Sequence, residues 1–112
     1  MAAARDPRLP PHWFQILLAL ADAERHGLGI MQEVLDQTGG NMRLWPGMLY
    51  RNLRRLEDEG LIADSRRPGP AEPGGPRYFH ITPAGRHRCA AEARRLKGFV
   101  EAARAKKLLG RT

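Results

Sequence analysis

The sequence predicts a mainly α-helical domain with one small β-hairpin, extended by a further helix towards its C-terminal end. Three observations predict it. Apolar residues recur at helical spacing through most of residues 11–60. The pattern changes to period two on either side of a proline- and glycine-rich run, Pro68–Pro76. A threonine–proline pair, Thr82–Pro83, then opens a long second helical stretch. At 112 residues the chain has the length of one domain with a modest core, to which a second subunit would add buried surface.

Met1–Pro10 carries small residues, Arg5, Arg8 and prolines, and reads as a flexible arm over residues 1–10. Pro11–Asp22 reads as a helix apolar nearly all round, with Trp13, Ile16, Leu17 and Leu20 on one face and Phe14, Leu18 and Ala21 on another. So short a chain has little protein to cover both faces. One face is therefore expected inside the domain and the other against a second subunit, with Trp13, Phe14 and Leu17 as the contact candidates; a central core helix is the other account. Ala23–Gly27 reads as a connection, and His26 stands where it would serve a helix start. Leu28–Gln37 follows as a second helix, with Ile30, Met31, Val34 and Leu35 as its apolar positions and Thr38–Gly39–Gly40 as its end.

Trp45–Gly60 is the stretch with the strongest pattern. Pro46 opens a helix and Gly60 closes it. Leu49, Leu53 and Leu56 form one apolar stripe, and Gly47, Met48, Arg51, Asn52, Arg54 and Arg55 fall away from it. A leucine face backed by an arginine-and-amide face, with a small start, suits a DNA major groove; a solvated arginine face on a surface helix is the plainer account. Two short helices joined by a turn, the second bearing the base-reading candidates, match helix-turn-helix organisation. After Gly60, Leu61–Arg67 and Arg77–Ile81 read as strands around a loop holding four prolines and three glycines in nine residues. A hairpin in this place is a wing. Residues 11–82 are thus expected to form a winged helix-turn-helix, with its wing at 61–81 and Arg66, Arg67 and Arg77 at the base of that wing, in reach of phosphates. Residues 83–112 form a C-terminal helix and tail. Its residues Cys89, Ala93, Leu96, Val100 and Ala103 are spaced four, three, four, three, a heptad seam expected to pair with its copy.

Charge narrows the function. Nineteen basic against twelve acidic residues leave a net charge of +7, which favours polyanionic partners. His12, His26, His80 and His87 have no metal-ligand spacing, Cys89 has no matched base, and no glycine-rich phosphate loop follows a strand. Catalysis, a metal and a cofactor are therefore not expected. A single cysteine and the lack of an 18-residue apolar run make a cytoplasmic setting without membrane contact the default expectation.

With these residues in place, the chain resembles the PadR family of bacterial transcriptional regulators. The resemblance is carried by ILLAL (Ile16–Leu20), HGLGI (His26–Ile30), the approach from Gly40 to Leu44, PGMLYRNLRRLEDEGLI (Pro46–Ile62) and RYFHITPAGR (Arg77–Arg86), and covers roughly Leu9 to Val100. It implies a homodimer of winged helix-turn-helix domains on an inverted-repeat operator, usually a repressor, released in many members by a small phenolic, aromatic or drug-like effector. Tyr50 and Arg51 match the family's leucine-tyrosine-arginine segment, so Tyr50 is expected to pack while offering its hydroxyl to a phosphate. Trp45 replaces the small polar residue usual before this proline, which removes a side-chain cap and leaves a large ring near the DNA-facing end; a packing residue is the favoured account. Leu96 stands where some short members carry a drug-stacking tryptophan, with Phe99 one turn on. That replacement counts against the same stacking mode, and a different effector pocket around Trp13, Leu96 and Phe99 is the alternative. Two rival readings stay open: a winged-helix module for an acidic protein partner, and a nonspecific DNA-compacting protein.

Overall fold

A computed structural model describes residues 8–65 and 77–110. Its elements are α1 (Pro11–Ala19), β1 (Arg25–His26), α2 (Gly27–Gln37), α3 (Pro46–Asp58), β2 (Ile62–Asp64), β3 (Tyr78–Ile81) and α4 (Pro83–Ala105). The strands form one antiparallel sheet in the order β1-β3-β2, with Arg25 opposite Phe79 and Ile62 opposite Ile81.

Local chemistry sets most element ends. Pro11, Pro46 and Pro83 each open a helix where no N–H is needed. His26 caps α2, its Nδ1 accepting from the Gly29 N–H at 3.1 Å. Thr82 caps α4, its hydroxyl accepting from the Gly85 N–H at 3.0 Å. Helix α3 stops at Gly60, whose φ of 74° is the left-handed conformation only glycine adopts without strain. The Gly60 N–H reaches the Glu57 carbonyl and the Leu61 N–H the Leu56 carbonyl, and Leu56 and Leu61 are both buried beneath this turn.

The leucine stripe of α3 is the centre of the core. Leu49, Leu53 and Leu56 are buried with Ile16, Leu17, Ile30, Val34 and Phe79. Three expectations are corrected here. Leu17 is fully buried inside the subunit and has no surface for a second one; the large apolar residue of α1 left exposed is Leu18. Cys89 likewise belongs to the core, because the first turns of α4 pack on α1. Residues 25–26 are a short strand rather than part of a connection. Two residues are too few to show alternation, and pairing with β3 supplies their backbone partners. Arg25 also ties off α1: its Nε donates to the Ala19 carbonyl at 2.8 Å while the guanidinium pairs with Asp22 and Glu33.

Beyond Glu92, α4 runs away from the domain. Leu96, Phe99 and Val100 are exposed along it, and Ala93 is exposed with them. Glu92 itself is buried, and Arg95 donates to both its oxygens, from Nε at 3.0 Å and from a terminal nitrogen at 2.6 Å. Among the described residues no helix is long and apolar enough to cross a membrane.

Candidate nucleic-acid interface

With the leucines of α3 buried, most of its other residues face outward. Gly47, Tyr50, Arg51, Arg54 and Arg55 are exposed, and Met48 is partly buried against the core. The three arginines have no carboxylate partner among the described residues, although Glu57, Asp58 and Glu59 lie within two turns. The helix therefore presents three uncompensated cations on one face, the arrangement that attracts phosphate.

Asn52 does not join them. Its Oδ1 accepts from the Trp13 indole N–H at 3.0 Å and its Nδ2 donates to the Met48 carbonyl at 2.8 Å. The amide expected to read a base edge instead fastens α3 to α1. The same bond occupies the indole N–H of Trp13, which is partly buried against the core. Tyr50 keeps a 55% exposed side chain, while its hydroxyl lies against Gly27 at the start of α2, so close that a β-carbon there would meet it at 2.5 Å.

Arg66 and Arg67 lie outside the described residues. Arg77 is described, and it is occupied. Its Nε donates to Asp64 at 2.8 Å, a terminal nitrogen donates to Glu57 at 3.1 Å, and its guanidinium covers the Phe79 ring at 4.9 Å. Asp64 above all, with Glu57, holds the guanidinium pKa above its ordinary value against the cost of desolvation. Arg77 thus ties the wing's base strands to α3 rather than standing free for a phosphate. Between them runs an open groove of about 380 Å³ lined by Tyr50, Arg51, Arg54, Glu57, Arg77 and Phe79.

Two features of this surface went unread in the sequence. Trp45, expected to pack, is 63% exposed and caps α3 without a side-chain hydrogen bond. Arg43 stands over its ring, 5.7 Å from the centroid. Nothing in the order of residues distinguishes an exposed tryptophan from a packed one. Burial raises the pKa of the Cys89 thiol, opposite to what a reactive cysteine requires.

Comparison with known proteins places this geometry. A model of the transcriptional regulator PadR-like family matches residues 16–91. Transcriptional regulator Rv3488 of Mycobacterium tuberculosis is 38% identical over 82 residues, covering 73% of this chain and 72% of that protein. An uncharacterised 37.1 kDa protein in transposon Tn4556 of Streptomyces fradiae is 43% identical over 88 residues, 76% of this chain but only 24% of that longer protein. Among solved structures, Bacillus subtilis PadR in complex with operator DNA is similar in fold, with a TM-score of 0.63 at 19% identity over 74% of this chain and 46% of that one.

Proposed function

Because the chain belongs to the PadR-like family of transcriptional regulators, we propose that it acts as a homodimeric repressor on an inverted-repeat operator, with α3 of each subunit in successive major grooves about one turn (~34 Å) apart. The observation that carries this reading is the α3 face: Arg51, Arg54 and Arg55 exposed and without carboxylate partners, on a helix whose other side is anchored by buried leucines. Arg51 and Met48 are the base-edge readers and the remaining arginines hold phosphates. The related PadR of Bacillus subtilis has been solved with operator DNA, which supports the same use of the fold here.

The second subunit meets the exposed apolar side of α4, Leu96, Val100 and the neighbouring Ala93 and Ala103, together with Phe14 and Leu18 of α1. A small aromatic effector entering beside Phe99 and Leu96 would act by changing the spacing of the two α3 helices.

The test is fluorescence anisotropy against DNA upstream of the protein's own gene and against random duplex, at several salt concentrations. Specific recognition gives affinity at least ~10³-fold tighter for the former. Arg51→Ala should weaken specific binding by about 1–3 kcal/mol and relax specificity, whereas Arg54→Ala should weaken both duplexes and reduce the salt slope by about one per subunit. Equal binding to both duplexes would identify a nonspecific DNA-compacting protein, and binding to neither would move the basic face to an acidic protein partner.

A further inference from the structure

Trp45 and Leu28 are the two most exposed large apolar residues around the helix-turn-helix, at 63% and 68%. They line one groove of about 340 Å³ with Met31, Gln32, Leu35, Arg43, Leu44 and Pro46. No carboxylate lines it, and Arg43 has no acidic partner among the described residues; its guanidinium rests over the Trp45 indole. An apolar cleft with a single uncompensated cation on its lip is matched by a partner that is flat and apolar beside a negative charge.

Position chooses that partner. Trp45 is the cap of α3, so the groove lies at the N-terminal end of α3, two residues before the exposed Gly47. A recognition helix leads into the major groove with its N-terminal residues, while the helix before it crosses the sugar-phosphate strand. The cleft between α2 and the start of α3 therefore lies over that strand. We infer that Arg43 and Trp45 form a second, sequence-independent DNA contact, in which the indole packs on a deoxyribose face and the guanidinium leaves the ring to pair with the adjoining phosphate. This rests on the reading that α3 binds DNA. It explains why a tryptophan is exposed at a cap where it makes no hydrogen bond: the side chain contributes contact area rather than a cap.

The test uses the full chain and a duplex of about three helical turns (~30 base pairs) recovered by the protein from a randomised library, with random duplex alongside. Arg43→Ala should weaken both duplexes and lower the salt slope by about one per subunit. Trp45→Ala should weaken both about tenfold with the slope unchanged, the loss expected when an apolar side chain stays in water. Circular dichroism checks that both variants fold. The difference in fluorescence between wild type and Trp45→Phe isolates the Trp45 signal, and acrylamide quenching of that signal should fall when duplex is added. The inference is overturned if wild type binds and Arg51→Ala does not, yet both variants bind as wild type and Trp45 stays open to acrylamide. It is also overturned if protection of Trp45 rises with protein concentration alone, which assigns the groove to a second copy, or if sodium benzoate protects the indole and duplex does not. A wild type that enriches no duplex from the library and binds no random duplex removes the DNA reading of α3 itself, a result distinct from the others.

Discussion

Single side chains in this domain divide into those that hold α3 and those that α3 offers. Asn52 and Arg51 are neighbours with opposite roles. Asn52→Ala leaves the partly buried Trp13 indole N–H without its acceptor and frees the Met48 carbonyl. It should cost about 1–3 kcal/mol in urea denaturation, whereas Arg51→Ala should leave stability within about 0.5 kcal/mol. A stability loss for Arg51 with none for Asn52 would reverse the assignment. Glu92 is the other holding residue. Hydrogen bonds from Arg95 keep its carboxyl below the ordinary value near 4.5, with the Leu9 backbone and the charge of Arg8 adding to them against desolvation. A lowered folded pKa means its contribution is complete above about pH 4.5 and disappears as pH falls through the lower folded value. Glu92→Gln should therefore be less stable than wild type at neutral pH, and the gap should narrow on acidification; thermal melts at pH 3, 5 and 7 (~2-unit steps) read this directly.

Elements meet at contacts that tolerate no additional atom. Gly85, in the first turn of α4, lies against the Leu61 backbone carbonyl, where a β-carbon would collide with it. Alanine ordinarily strengthens a helix over glycine by about 1 kcal/mol. Here the backbone of the β2 entry cannot yield as a flexible side chain would, and Gly85→Ala should destabilise by about 1–3 kcal/mol instead. Guanidinium denaturation decides between the two signs. The same crossing is held by Thr82, which donates to the Gly60 carbonyl while capping α4. The end of α3, the entry to β2 and the start of α4 thus meet at one joint.

At the scale of the molecule, α4 leaves the domain with Leu96, Phe99 and Val100 exposed, in a chain of net charge +7. Apolar residues in such a row mark an interface. Sedimentation should give a dimer at micromolar concentration for the wild type. Val100→Asp should give a monomer of unchanged helicity, with operator binding weakened far more than random-duplex binding, because only specific recognition uses two α3 helices at a fixed spacing. A monomeric wild type would place the apolar row against some other protein.

Whatever depends on a few adjacent residues was settled by the sequence alone. The starts of α3 and α4, the left-handed glycine after α3, the buried leucine stripe and the exposed arginines follow from proline and threonine caps and from a 3.6-residue period, all acting within four or five residues. The family followed too, since its motifs lie in those same local runs. Only the tertiary structure decided that Asn52 is bound to a tryptophan 39 residues away, that Arg77 is held by Glu57 20 residues away, that residues 25–26 are a strand, and that Trp45 faces water. It also divided the α4 heptad row, sending Cys89 into its own domain and leaving Leu96 and Val100 outside. A periodic apolar spacing is the same whether the surface it meets belongs to its own chain or to another, and the partner of a polar side chain is set by which elements are packed beside it.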